Sequence, residues 1–120
     1  MQEIFFFDQD DTPLPRDEVR IKQTRAEQYP DGRRVRVTVV LTPFSFSDKP
    51  NLSLTISDSS GETVAEADVL ELVTQQIELT MHLPHQRAQG DYTLRAELYY
   101  DNSKPQDMRE LSFASVSEEG

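Results

Sequence analysis

At 120 residues the chain has the length of one domain, and a domain of that size buries roughly two-thirds of the surface its unfolded form exposes. Cysteine is absent, which excludes disulfides and thiolate metal sites. A net charge of −10 disfavours nucleic acid and anionic membrane surfaces as partners unless a local basic patch provides an exception.

Residues 1–16 follow no periodic pattern. Ile4, Phe5, Phe6 and Phe7 come first, then Asp8, Asp10 and Asp11, then Pro13 and Pro15, which hold the backbone extended and break any helix. The apolar run is far shorter than a membrane span, and acids follow it too closely for a signal-peptide core, so a cytoplasmic protein is expected. In extended chain, neighbouring side chains point to opposite faces. One packed surface therefore covers only half of this run, which holds three of the six phenylalanines. The arm either folds back over its own sandwich or lies on a neighbouring copy; the extended spacer of Pro13 and Pro15 favours the second, so a homodimer is expected.

From Val19 onward the pattern becomes one of strands, with apolar residues at every second position. A first strand is expected over residues 18–29, closed by the turn residues Pro30, Asp31 and Gly32. The second is the clearest: Val35, Val37, Val39 and Leu41 face one way, Arg34, Arg36, Thr38 and Thr42 the other, and Pro43 ends it. Leu52, Leu54 and Ile56 mark a third, followed by a hairpin turn at Asp58, Ser59, Ser60 and Gly61. Residues 62–74 fit either a helix face, through Ala65, Val69, Leu72 and Val73, or two extended pieces kinked near Asp68. The flanking turn and strand favour the extended form. Ile77, Leu79, Met81 and Leu83 form the next row, and Tyr92, Leu94, Ala96, Leu98 and Tyr100 the one after a polar loop. Leu111 and Phe113 sit in a last strand before an acidic tail over residues 117–120. The division is an arm over 1–16, a sandwich over 17–116 and a frayed tail. The absence of a helix-length segment between strands disfavours a parallel βαβ sheet, and an all-β antiparallel sandwich of about seven strands is expected. Its core would hold Val37, Val39, Leu41, Leu54, Ile56, Leu79, Met81, Leu94, Leu98 and Phe113.

Gly90, Asp91, Tyr92, Thr93 and Leu94 resemble the corner that opens strand F of immunoglobulin-like and fibronectin-like sandwiches. That resemblance implies a buried Tyr92 ring whose hydroxyl bonds backbone near residues 87–89. It also implies an apolar Leu94 where antibody domains carry cysteine, opposite Val37 or Val39. The tryptophan of antibody domains is missing, because the chain has none. The chain also resembles small stand-alone β-sandwich proteins of bacterial genomes, from which no activity carries over.

Candidate chemistry is sparse. Asp8, Asp10 and Asp11 suggest a cation loop, with Asp101 or Asp107 as further ligands. An EF-hand is excluded, since its sixth position would be Pro13 and its twelfth Val19. The two histidines, His82 and His85, would need further carboxylate ligands to hold zinc. Residues 16–36 carry seven bases against four acids, with Arg20, Lys22, Arg34 and Arg36 expected on one outer sheet face. No aromatic residues alternate with them for base stacking, so a solvated charged face is expected rather than an RNA strip. No nucleophile motif or phosphate loop is present. The expected function is a non-enzymatic protein-interaction or assembly module without metal or cofactor. The alternative is a carbohydrate- or ion-binding sandwich that uses end loops and the aromatic rings of Tyr29, Tyr99 and Tyr100.

Overall fold

A computed structural model describes residues 12–84, 91–101 and 104–114. Its strands are β1 (Ile21–Gln28), β2 (Arg34–Leu41), β3 (Asn51–Ser57), β4 (Thr63–Val69), β5 (Gln76–His82), β6 (Asp91–Tyr99) and β7 (Asp107–Ala114). They form two antiparallel sheets, β1-β2-β5 and β4-β3-β6-β7, packed face to face as a seven-stranded sandwich.

Register explains the core. Residues directly opposite on an antiparallel pair share a face. Val35, Val37 and Val39 stand opposite Gln28, Ala26 and Thr24 of β1, and opposite Met81, Leu79 and Ile77 of β5. In the other sheet Leu52, Leu54 and Ile56 stand opposite Leu98, Ala96 and Leu94 of β6. The two rows meet in one cluster of buried apolar side chains, to which Val19, Phe44, Leu72, Leu83 and Tyr92 also belong.

The expected core is found with two corrections. Leu79 and Phe113 face inward but are only half-buried, because β5 and β7 are edge strands with a neighbour on one side only. The expected first strand starts later, at Ile21. Residues Arg16–Glu18 form a 3-10 turn instead, in which the Glu18 N–H donates to the Pro15 carbonyl at 2.8 Å. The ambiguous stretch 62–74 is strand through Val69, since Leu52 to Ile56 of β3 offer it a ladder of partners. Its kink comes at Glu71, the one described non-glycine residue with positive φ, at 53°.

The two hairpin turns follow their residues. Gly32 and Gly61 take φ of 71° and 91°, which only glycine adopts without cost. The Asp58 carboxylate binds the Ser60 N–H, the Ser60 hydroxyl and the Glu62 N–H at 2.7–3.0 Å, holding the second turn closed. Tyr92 opens β6 with its ring buried, tilted 30° against Phe113 at 5.5 Å. Gly90 and the loop to which its hydroxyl was expected to bond lie outside the described residues, as do Ile4, Phe5, Phe6, Phe7 and His85.

One long edge of the sandwich is closed by side chains. The Asp107 carboxylate accepts the Ile21 N–H at 2.8 Å, which an edge strand would otherwise leave open. Gln106 Nε2 donates to the carbonyls of Arg16 and Val19 at 2.9 and 2.8 Å. These bonds tie β7 of one sheet to the entry of β1 in the other.

Leu94 is fully buried between β3 and β7 neighbours, so Leu94→Ala leaves a cavity that paired strands cannot collapse into. The expected loss is about 2–5 kcal/mol, read as the shift in a urea unfolding curve.

Candidate functional site

Antiparallel pairing brings four connecting segments to one end of the sandwich. β2 ends at Leu41, opposite the start of β1, while β5 starts beside Val40. β3 starts at Asn51 beside the end of β6, and β4 ends at Val69 beside Leu52. The chain entry (12–20) and the connections 42–50, 70–75 and 100–106 therefore meet there.

Asn51 binds three of them together. Its Oδ1 accepts the Glu71 N–H at 2.8 Å, and its Nδ2 donates to the Tyr100 carbonyl at 3.0 Å. The Leu72 N–H donates to the Pro50 carbonyl at 2.9 Å. With Glu71 in the left-handed region, the backbone turns so that Leu72 enters the core while Leu70 and Val73 face out. A non-glycine residue in that region costs roughly 1–3 kcal/mol, and the surrounding bonds hold it there. Across from it, Phe44 is buried and Phe46 is not, because the chain turns at residues 46–47 and Phe46 lies on the outer side. Phe46, Leu70 and Val73 are 71, 64 and 59% exposed. Phe46 and Glu71 share a shallow depression of about 320 Å³ with Ser47, Asp48 and Lys49.

Arg16 fastens the chain entry to this end. Its guanidinium binds Asp48 through Nε and Nη2, at 3.0 and 2.7 Å, reaches Asp101 through Nη1 at 3.5 Å and lies 4.5 Å over the Tyr100 ring. Hydrogen bonding to Arg16 holds the Asp48 carboxyl below the ordinary carboxylate range, and the same bond raises Arg16. The Tyr100 hydroxyl is buried without a described partner, and desolvation raises its pKa.

The residues singled out from sequence fall elsewhere or serve structure. Asp107 accepts the Ile21 N–H and Asp101 lies 3.5 Å from the Arg16 guanidinium, while Asp8, Asp10 and Asp11 lie outside the described residues. His82 is exposed at the end of β5, opposite Arg34. Among the described residues no three His, Asp or Glu side chains converge as a metal ion requires. The basic strip is locally compensated: Arg34 pairs with Asp31 at 3.0 Å, Arg36 with Glu78 at 3.5 Å, and Arg20 donates to the carbonyls of Asp17 and Val19. Tyr29 lies across this face with Arg34 4.2 Å over its ring, and its hydroxyl, 3.4 Å from Thr80, titrates below its ordinary range for that reason and because of Arg36. Sequence reasoning missed Asn51 and Gln106, because an amide that clips distant loops leaves no periodic signal. Phe46, Leu70 and Val73 were legible only as apolar residues out of phase with the strand rows.

No family model matches the chain, and no curated protein matches it in sequence. Among solved structures it is similar to a glycosyl hydrolase family 2 member from Bacteroides cellulosilyticus DSM 14838, with 16% identity and a TM-score of 0.62 over 81% of this chain and 15% of that one. The β-glucuronidase of Parabacteroides merdae gives 12% identity and a TM-score of 0.61 over 81% and 14%. An FMN-binding β-glucuronidase from Facaelibacterium prausnitzii L2-6 gives 14% and 0.57 over 80% and 16%. At such identities the likeness is one of fold: this chain is a β-sandwich that corresponds to 14–16% of the length of those enzymes. Among the described residues no helix is long and apolar enough to cross a membrane.

Two outcomes check this site. Asn51→Ala removes both clips and should cost about 1–2 kcal/mol, with Asn51→Asp intermediate because it keeps only the acceptor; a urea midpoint equal to the native one would contradict the clip. The second concerns acid. Asp31, Asp48 and Asp58 are held low, chiefly by the Arg33 N–H, the Arg16 guanidinium and the Ser60 hydroxyl respectively. The unfolded chain takes up their protons at higher pH than the folded one. Their contribution is therefore present above the ordinary carboxylate range and lost as pH falls through the lowered values, below about pH 4. Asp48→Asn should lower the thermal midpoint at neutral pH and flatten its fall in acid.

Proposed function

We propose that the chain is a non-catalytic protein-interaction module of immunoglobulin-like or fibronectin-like type, binding through the loop end of the sandwich. One observation carries the reading: Phe46, Leu70 and Val73, three of the four exposed large apolar side chains among the described residues, stand on two loops tied to one another. Large apolar side chains exposed on loops that are joined to one another support an interaction surface there. Loops presented by a rigid sandwich are where such folds carry recognition. The subtype is supported by the strand order β1-β2-β5 against β4-β3-β6-β7, and by the buried Tyr92 two positions before the inward Leu94. The non-enzymatic part is supported by Asp48. Asp48 is paired with Arg16 and held low, which suits a structural ion pair and not an acid or base working near neutrality.

The test compares the native protein with a Phe46→Ser/Leu70→Ser variant, both immobilised, for proteins retained from extract, for binding to a glycan panel and for turnover of chromogenic glycosides including a glucuronide. The expected result is a defined set of proteins retained by the native form and reduced at least tenfold by the variant, with equal thermal midpoints. Equal retention by both forms, saturable glycan binding or glycoside turnover overturns the reading.

A further inference from the structure

We infer that residues 12–16 form a releasable strap over the loop end, which opens while the sandwich stays folded and so sets how much apolar surface that end presents. The inference rests on the protein-interaction reading and names the regulation of its surface. Anchorage of the chain changes abruptly at Val19. From there on the backbone is locked. Val19 is fully buried, and the Ile21 N–H is held by Asp107. The Arg20 N–H donates to the Thr42 hydroxyl and the Thr42 N–H to the Arg20 carbonyl, both at 2.9 Å. Gln106 Nε2 bonds the Arg16 and Val19 carbonyls, so the 3-10 turn Arg16–Glu18 is the hinge.

Ahead of that turn no side chain is fully buried. Thr12, Pro13 and Pro15 are exposed, and Leu14 is half-buried against the rim of the core. Leu14 and Arg16 hold the segment down. The Leu14 N–H donates to the Pro43 carbonyl at 3.2 Å, a long bond, and Leu14 bridges Phe44. Arg16 reaches Asp48 and Asp101 and lies over the Tyr100 ring. The Arg16–Asp48 pair is solvent-exposed, and screened pairs stabilise little. Segments with few buried apolar contacts open at much lower free energy than the whole fold. Closure also works against one group beneath it: the Tyr100 hydroxyl is buried without a described partner, which disfavours the closed form. The ion pair favours closure and the hydroxyl opposes it, so neither state is overwhelmingly preferred. Leu14 lies beside Phe44, which is 6% exposed, whereas Phe46 two residues on is 71% exposed. When Leu14 lifts away, Phe44 joins Phe46 at the surface.

The experiment follows amide exchange by NMR in the native chain, Asp48→Asn and Tyr100→Phe, in water and in low urea. Alongside it, the fluorescence of a dye that binds exposed apolar surface is recorded. The expected result is a Leu14 amide that exchanges at least tenfold faster than that of Val37 in the central strand β2. Low urea should leave the Leu14 rate nearly unchanged while accelerating Val37, since a small opening exposes little surface. Asp48→Asn should raise the Leu14 rate relative to Val37 at least threefold and raise dye fluorescence, and Tyr100→Phe should lower both. A Leu14 amide with the rate and urea dependence of Val37 means that the segment opens only when the sandwich unfolds. One as fast as in a free peptide in every form means that the strap never closes. Either result overturns the inference. A Leu14 rate indifferent to Asp48→Asn, or raised by Tyr100→Phe, overturns the balance that holds the strap. Unchanged dye fluorescence in Asp48→Asn overturns its effect on the surface. None of these readouts uses a partner, so the module reading stands or falls separately, on the proteins retained from extract.

Discussion

The strict two-residue alternation in β2, β3 and β6 governs everything else in this molecule. Each of these strands is flanked on both sides within its sheet, and each turns an unbroken apolar row to the opposite sheet. A slip of one residue in any of them would drive three or four side chains into water and as many polar ones into the core. At roughly 1.5–3 kcal/mol per large side chain buried, such a slip costs an amount comparable to the whole net stability of a small domain. Turns, edges and end loops are accommodated to that register.

The edges show how the accommodation works. β1 and β7 border different sheets, and Asp107 and Gln106 reach across the gap to the Ile21 N–H at the start of β1 and to the Arg16 and Val19 carbonyls just before it. The other pair of edges, β4 and β5, carries Glu66, Asp68 and Glu78 instead, and charge on an edge discourages a further strand from adding there.

At the loop end, order comes from polar clips and exposure from the same clips. Asn51 holds Glu71 in a backbone region that an L-residue enters reluctantly, and that single distortion sends Leu72 inward and its neighbours outward. Arg16, spread over Tyr100 and bonded to Asp48, holds the chain entry beside them. Its ion pair is solvent-exposed, so its role is chiefly to orient, since screened pairs add little stability.

The amino-acid sequence by itself determined the strand rows, the two glycine turns and the all-β class, because all three are local: alternation is a property of a few consecutive residues, and positive φ is a property of one. The inward Tyr92 and Leu94 were legible for the same reason. Tertiary structure alone decided the rest. Residues 62–74 fit a helix face as well as extended pieces, with only their flanks favouring the extended form, and are strand through Val69 because β3 supplies hydrogen-bond partners that an isolated segment lacks. Leu79 and Phe113 lie in phase with their rows, yet their partial exposure follows from which strands sit at the edges. The pairing of Asp107 with Ile21, the clip by Asn51 and the meeting of Phe46 with the 70–75 loop join residues tens of positions apart, and long-range contacts of that kind leave no periodic trace in the chain.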